Sequence, residues 1–261
     1  MKIISNLKEW KTIRNNLSAD LKIGFMPTMG CLHQGHASLI KKSVSQNDVT
    51  VLSIFINPTQ FNDPADYARY PQTLDSDIDM ARNLAVDYVI IPNIDSMYPD
   101  GNNIHLMTDH PFSLVMEGYY RPGHFNGVLT IVMKLLLLIR ANSVYFGEKD
   151  YQQYFLIGEL IKKYFIPTEI IVCPIFRESS GLPFSSRNTK LTANERQLVE
   201  TFYEFFYINR PHSLDEIKKK MVELKIQYDY FETYDNRLFF ALKIGSIRII
   251  DNFSEAASYV N

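Results

Sequence analysis

Lys22-Ile23-Gly24-Phe25-Met26-Pro27-Thr28-Met29-Gly30-Cys31-Leu32-His33-Gln34-Gly35-His36 decides how this chain is read. Lys22–Met26 is short and apolar, as a buried strand is. A turn rich in Thr, Gly and His follows, and Ala37–Ser45 has helical character. A turn between a strand and a helix places Met29–His36 at the carboxyl end of a strand, where open parallel sheets bind ligands. The N–H groups and positive end of the helix favour phosphate there. Gly30 and Gly35 permit a tight turn and close approach of a ligand. His33 and His36 add ring nitrogens whose protonation can change near neutrality. Zinc is the rival reading of the two histidines. They lack the spacing of a zincin helix, and no nearby Cys or third His completes a ligand set.

Further along, Val49–Ile56, Tyr88–Ile91, Ser143–Phe146 and Glu169–Val172 read as strands. Leu74–Leu84, Val128–Ile139 and Tyr151–Tyr164 read as helices between them. This alternation predicts an α/β fold, a Rossmann-like doubly wound parallel sheet with helices on both faces. The character changes near Asn209-Arg210-Pro211-His212. Ala193–Tyr207 precedes that stretch as a helix. Leu214–Leu224 follows as another, with strands at Tyr228–Thr233, Leu238–Ile244 and Ile247–Ile250 and a turn at Tyr234–Asn236. A small C-terminal α+β domain is expected, with the boundary between Ser180 and Pro211, drawn at 182/183: a nucleotide-binding domain over 1–182 and a smaller one over 183–261.

Composition narrows the class. Among 261 residues, 46% are hydrophobic and 21% charged, which suits a globular chain with a sizeable core. The formal net charge of −2 gives no general affinity for nucleic acid or an anionic membrane. Two cysteines, Cys31 and Cys173, make no disulfide framework and fit a reducing, cytoplasmic setting. The most apolar stretch, Val128–Ile139, contains Lys134 and is too short to span a bilayer.

Three more segments fall at predicted strand ends. Gly147-Glu148-Lys149-Asp150 opens the helix from Tyr151, with Lys149 within reach of a phosphate and Gln153 one turn on. Asn57 and Gln60 leave the strand Val49–Ile56 and could meet hydroxyls or a carboxylate; turn formation alone would also account for them. Arg177–Asn188 is a polar loop in which Ser185 and Ser186 can donate and Arg187 supplies a fixed, forked charge for an anion.

Together these segments resemble the pantoate–β-alanine ligase (pantothenate synthetase) family, a group similar to other HxGH-type nucleotidyltransferases. Met29–His36 reads MGCLHQGH against the family's MGxLHxGH. Ile54–Phe61 (IFINPTQF), Arg69-Tyr70-Pro71, Arg121–Phe125 (RPGHF), Gly147–Asp150, Ser185–Asn188 and Ile250-Asp251-Asn252 resemble it as well. Ser180 stands where the family usually has Asp, Pro183 stands where Ala is usual, and the C-terminal region reads as short for the family.

The resemblance implies a two-step reaction. Pantoate attacks the α-phosphate of ATP to give pantoyl adenylate and pyrophosphate. β-Alanine then attacks the acyl carbon to give pantothenate and AMP. It implies ATP contacts at Met29, Gly30, Cys31, Leu32, His33, Gln34, Gly35, His36, Gly147, Glu148, Lys149 and Asp150, and again at Phe176, Phe184, Ser185, Ser186 and Arg187. Charge stabilisation is expected of His33, His36, Lys149, Ser185, Ser186 and Arg187. Gln60 and Gln153 would hold pantoate, with Asn57 and Tyr70 nearby and Arg121 toward β-alanine. Mg²⁺ is expected with ATP, few protein ligands being implied. Asp77 is one candidate contact, against a solvated helix carboxylate. A homodimer and a C-terminal lid are further family expectations. Another HxGH-type nucleotidyltransferase, or a catalytically silent nucleotide-binding protein, stand beside this reading.

Overall fold

The computed structural model describes residues 1–99, 101, 103–208 and 213–254. It divides into two compact units, Met1–Cys173 and Pro174–Asn261. The polar stretch Asn209–His212 lies outside the described residues.

The first unit is built on six parallel strands: β1 (Lys2–Ile4), β2 (Ile23–Thr28), β3 (Val49–Ile54), β4 (Tyr88–Ile90), β5 (Ser143–Gly147) and β6 (Glu169–Cys173). Their order across the sheet is β1-β4-β3-β2-β5-β6. The chain therefore runs outward from β2 through β3 to β4, then crosses back to start again at β5. The reversal falls between β2 and β5, the place where doubly wound sheets open a ligand crevice.

Alternation along the strands explains the two covered faces. Ile23, Phe25, Val49, Val51, Val144 and Phe146 join one core cluster, which includes Val128, Leu135 and Ile139 of the helix His124–Ile139 and Leu156 and Leu160 of Tyr151–Lys163. The alternate residues Met26, Leu52, Ile54 and Tyr145 join another, with Ile40 of the helix Gln34–Gln46 and Ala81 of Leu74–Asn83. No helix is long and apolar enough to cross a membrane among the described residues. The buried His124–Ile139 helix belongs to the core of this unit.

The edge strand β1 and the helix Leu7–Asn16 that follows it were not expected from the sequence, nor were the short helices Pro64–Ala68, Ile94–Met97 and Glu117–Tyr120 in stretches read as loops. β1 pairs with β4 over three residues, two of them exposed, so it carries little apolar signal. The helix Leu7–Asn16 buries only Trp10 fully, whose indole N–H donates to the Leu138 carbonyl at 3.0 Å.

The second unit holds a three-stranded antiparallel sheet, β7 (Gln227–Tyr234), β8 (Arg237–Ile244) and β9 (Ile247–Ser254). Asp235 and Asn236 make the first hairpin turn, both at positive φ, as a two-residue turn demands. Helices Ala193–Tyr203 and Leu214–Glu223 each begin at a reciprocal capping box, Thr192 with Glu195 and Ser213 with Glu216. Helical spacing suggested that the first continues to Tyr207. It instead changes to a π-helical turn over Glu204–Ile208. Phe202, Phe206, Phe240 and Phe253 form the centre of this core. Leu182 is fully buried in that same core, so the loop 174–182 packs with the second unit, ahead of the 182/183 division read from the sequence.

Candidate active site

The loop after β2 is held by a carboxylate from another element. Asp77, in the first turn of the helix Leu74–Asn83, is 2% exposed. Its Oδ2 accepts the Cys31 N–H at 2.9 Å, and its Oδ1 accepts the Leu32 N–H at 2.7 Å and the Thr73 hydroxyl at 3.1 Å. Gly30 makes this approach possible. Its φ is +81°, and a Cβ there would come within 2.9 Å of Asp77 Oδ2. Neither sequence reading of Asp77 describes this: it is not a solvated helix carboxylate, and its oxygens are engaged by the loop itself. Cys31, also at positive φ, is buried beside it.

The helix Gln34–Gln46 starts with a capping box made of two histidines. His33 Nδ1 accepts the Gly35 N–H at 3.1 Å, and His36 Nδ1 accepts the His33 N–H at 3.3 Å. A ring nitrogen that accepts carries no proton, so each neutral ring keeps its hydrogen on Nε2. The rings lie 4.0 Å apart between centroids. Burial, then the charges of His36 and Lys149, lower the His33 pKa to about 2. Burial lowers that of His36 to about 4, against the upward pull of Asp150 and Asp77. At neutral pH both are uncharged donors. Lys149, in the turn Glu148–Asp150 that follows β5, brings a positive charge near His33 and pairs with Asp150 at 3.7 Å. The Gly35 N–H, at the start of the helix, is taken by the His33 cap.

A second cluster lies in the same unit. Asn57, 1% exposed, and Gln60, 8% exposed, flank the short turn Pro58–Gln60 after β3. Asn57 Nδ2 donates to Gln60 Oε1 at 3.1 Å, and Gln60 Nε2 reaches Met29 Sδ at 3.0 Å. Met29 thereby joins this cluster to the β2 loop. The Gln60 carbonyl is held by His124 Nδ1 at 2.8 Å and Arg121 at 3.3 Å. Arg121 also faces His124 Nε2 at 3.2 Å and Glu117 at 3.5 Å. The helix His124–Ile139 comes this close because Gly127 has no side chain: a Cβ there would lie 2.3 Å from the Thr59 carbonyl. Tyr70 is buried, with its ring 5.7 Å from that of Phe61.

Of the two adjacent glutamines at the start of the helix Tyr151–Lys163, the structure engages Gln152. It is buried, donates to the carbonyls of Phe112 and Val115 at 2.7 and 3.0 Å, and accepts the Glu117 N–H at 3.0 Å. Gln153 is half-buried.

In the second unit, Ser185 caps the turn Ser186–Lys190, its oxygen accepting the Arg187 N–H at 3.3 Å. The loop before it is clamped at both ends. Arg177 makes a paired contact with Asp251, at 2.6 and 3.0 Å, donates to the Gly181 carbonyl at 2.9 Å, and lies over the rings of Tyr207 and Phe253. Glu178 accepts from Asn188 and Arg196. Phe176 and Phe184 face each other at 5.5 Å. Ser180 is buried and its hydroxyl accepts the Leu182 N–H at 3.4 Å, so the position that lacks the family's Asp still organises the turn.

Among the described residues, no group of three or more His, Cys, Asp or Glu side chains is placed to hold a metal ion.

The family described as pantoate-beta-alanine ligase matches residues 2–254. A pantothenate synthetase of Legionella pneumophila is 48% identical, over 97% of this chain and 99% of its own length. One from Francisella tularensis subsp. mediasiatica is 46% identical, over 97% of each. Among solved structures, a pantoate-beta-alanine ligase from Francisella tularensis, complexed with beta-gamma ATP and beta-alanine, superposes with a TM-score of 0.93 at 46% identity, covering 98% of both chains. A pantothenate synthetase from Thermus thermophilus gives 0.86 at 31% identity, over 98% of this chain and 99% of that one. Against these relatives the C-terminal region is not short, contrary to the expectation from sequence.

Proposed function

The chain belongs to the pantoate–β-alanine ligase family and joins pantoate to β-alanine with ATP to make pantothenate; from that premise we propose how its residues divide the work. The observation that carries the assignment is the β2 loop. A capped helix start, two neutral Nε2–H donors and Lys149 meet at the reversal of the sheet.

A carboxylate is ionised at neutral pH, so attack of pantoate on the α-phosphorus needs no general base. It needs two anions to be aligned and the phosphate charge to be stabilised. We assign that stabilisation to Lys149 as fixed charge and to His33 and His36 as neutral donors. Ser185, Ser186 and Arg187 share it on the strength of the family resemblance. The nucleotide contacts are Met29–His36, Gly147–Asp150, Phe176 and Phe184. Pantoate is held by Gln60 and Gln153, with Asn57 and Tyr70 beside them, and Arg121 faces β-alanine. Loss of pyrophosphate leaves an acyl adenylate, whose acyl carbon the free amine of β-alanine attacks, releasing AMP. The adenylate is sensitive to water, and the C-terminal unit is assigned the role of a lid that excludes it.

Asp77 has its oxygens engaged by the β2 loop, and among the described residues no group of three or more His, Cys, Asp or Glu is placed to hold a metal ion, so no all-protein Mg²⁺ cage is assigned. Mg²⁺ enters as an ion borne by the phosphates of ATP, whose charge it would offset. A cytoplasmic homodimer, taking only small-molecule substrates, completes the reading; sedimentation of the purified chain tests the dimer.

The test of the activity is pyrophosphate release from Mg-ATP with pantoate, with and without β-alanine, alongside mass detection of pantothenate. Pantothenate should appear only when all three substrates are present. Formation of a nucleotide adduct on another acid, with none on pantoate, would overturn the assignment.

A further inference from the structure

Tyr98 follows the short helix Ile94–Met97 and is 5% exposed. Its phenol oxygen lies 2.6 Å from Asn57 Oδ1 and 3.2 Å from Thr59 Oγ1. The Thr59 hydroxyl donates to the same Asn57 oxygen at 3.0 Å. On its other side, Asn57 Nδ2 reaches the Gly127 carbonyl at 3.2 Å. A backbone carbonyl can only accept, so the nitrogen edge of Asn57 must face Gly127 and its oxygen edge must face the two hydroxyls. The Gly127 carbonyl thus sets the amide direction of Asn57, and the two hydroxyls hold its oxygen.

That direction passes to Gln60. The Asn57 nitrogen also faces Gln60 at 3.1 Å, so Gln60 must turn its oxygen inward. Its Nε2 is then the atom presented beside Met29. Burial pushes the Tyr98 phenol up, with its hydrogen bonds to Thr59 and Asn57 pulling the other way, and the net rise keeps it a donor at neutral pH. The ring is held in turn by Lys134, whose ammonium lies 4.4 Å from its centroid and donates to the Met97 carbonyl.

We propose that Tyr98, together with Thr59, is a positioning residue for the acid substrate: the two hydroxyls hold the Asn57 amide that the Gly127 carbonyl orients, and Asn57 sets Gln60 as a donor. This rests on the assignment of Gln60 to pantoate. The consequence is selectivity for substrate oxygen. A carboxylate or hydroxyl oxygen finds a donor at Gln60, whereas an ammonium group at the same place would meet another donor and leave both unpaired.

The test measures KM for pantoate and for ATP in the same pyrophosphate-release assay. The variants are Tyr98→Phe, Thr59→Val, the pair combined, Asn57→Asp and Gln60→Ala. Tyr98→Phe removes one oxygen, and Thr59→Val is close in shape, so folding should persist; thermal unfolding of each checks this. The paired variant should raise the pantoate KM about tenfold, as loss of donors to a buried acceptor implies, with the ATP KM within about twofold of the parent. Asn57→Asp should do more, since a carboxylate there draws the Gln60 nitrogen inward and turns its oxygen to the substrate. A purely structural role would move both KM values together, and that result would overturn the proposal. So would an unchanged pantoate KM in the paired variant while Gln60→Ala raises it, which leaves the role of Gln60 intact. If Gln60→Ala also leaves the pantoate KM unchanged, the assignment of Gln60 fails and the proposal falls with it.

Discussion

At Asp77 one carboxylate takes hydrogen bonds from Cys31, Leu32 and Thr73, and Gly30 lies against it without a side chain. Asp77→Asn would replace one acceptor by a donor that faces a backbone N–H or a hydroxyl. A buried donor left unsatisfied costs about 1–3 kcal/mol. The expected outcome is a lower urea midpoint and a raised ATP KM, read from denaturant titration and initial rates; an unchanged ATP KM would separate Asp77 from the nucleotide loop. The MGCLHQGH pattern was legible in sequence because its glycines and histidines are contiguous. Asp77 was not, because its partners in that loop, Cys31 and Leu32, are 46 and 45 positions away. The Tyr98–Asn57–Gln60 relay is hidden for the same reason, Tyr98 lying 41 positions from Asn57 in another segment. Gln152 and Gln153 are neighbours of one type, and only packing distinguishes the one that the scaffold consumes.

The element to which the proposed mechanism assigns most is the start of the helix Gln34–Gln46. Its capping box works only while both Nδ1 atoms are unprotonated. The pKa values of His33 and His36 in the folded chain, about 2 and about 4, lie below the roughly 6.5 of an unfolded histidine. Between these values the unfolded chain binds protons that the folded one does not, so stability rises with pH. It is present above about pH 6.5 and lost as pH falls, down to about 4 for His36 and further for His33. Urea midpoints taken between pH 7 and pH 4.5 should decline, and His36→Ala should flatten the decline; an unaltered slope in that variant would contradict the assignment. The strands and helices flanking this element were legible because β2, β3 and β5 are buried on both faces and read as continuous apolar runs. β1 and the helix after it were not, since they cover an edge and expose most of their residues.

For the molecule as a whole, the open question from sequence was where the second unit begins and how its polar loop is held. Arg177 and Asp251 answer the second part: their side chains are 10% and 0% exposed, and they tie the loop to β9. In sequence, Ile250-Asp251-Asn252 carries a family resemblance and no structural role. Asp251→Asn leaves Arg177 buried with a neutral partner; breaking such a pair costs about 3–5 kcal/mol. The expected outcome is a lower midpoint for the second unit, seen by hydrogen exchange over residues 174–254. If that unit shields the adenylate, the same variant should form more AMP without matching pantothenate. An AMP-to-pantothenate ratio of one in both proteins would remove the lid role.

We propose that the loop after β2 carries the first half-reaction. It is tested most directly by rapid-mixing measurement of pyrophosphate release from Mg-ATP and pantoate, without β-alanine, in the parent chain and in His36→Ala. The parent should show a burst and the variant a rate lowered by more than tenfold, as loss of a donor to developing charge implies, with its far-ultraviolet spectrum unchanged. A folded variant that releases pyrophosphate at the parental rate would contradict it.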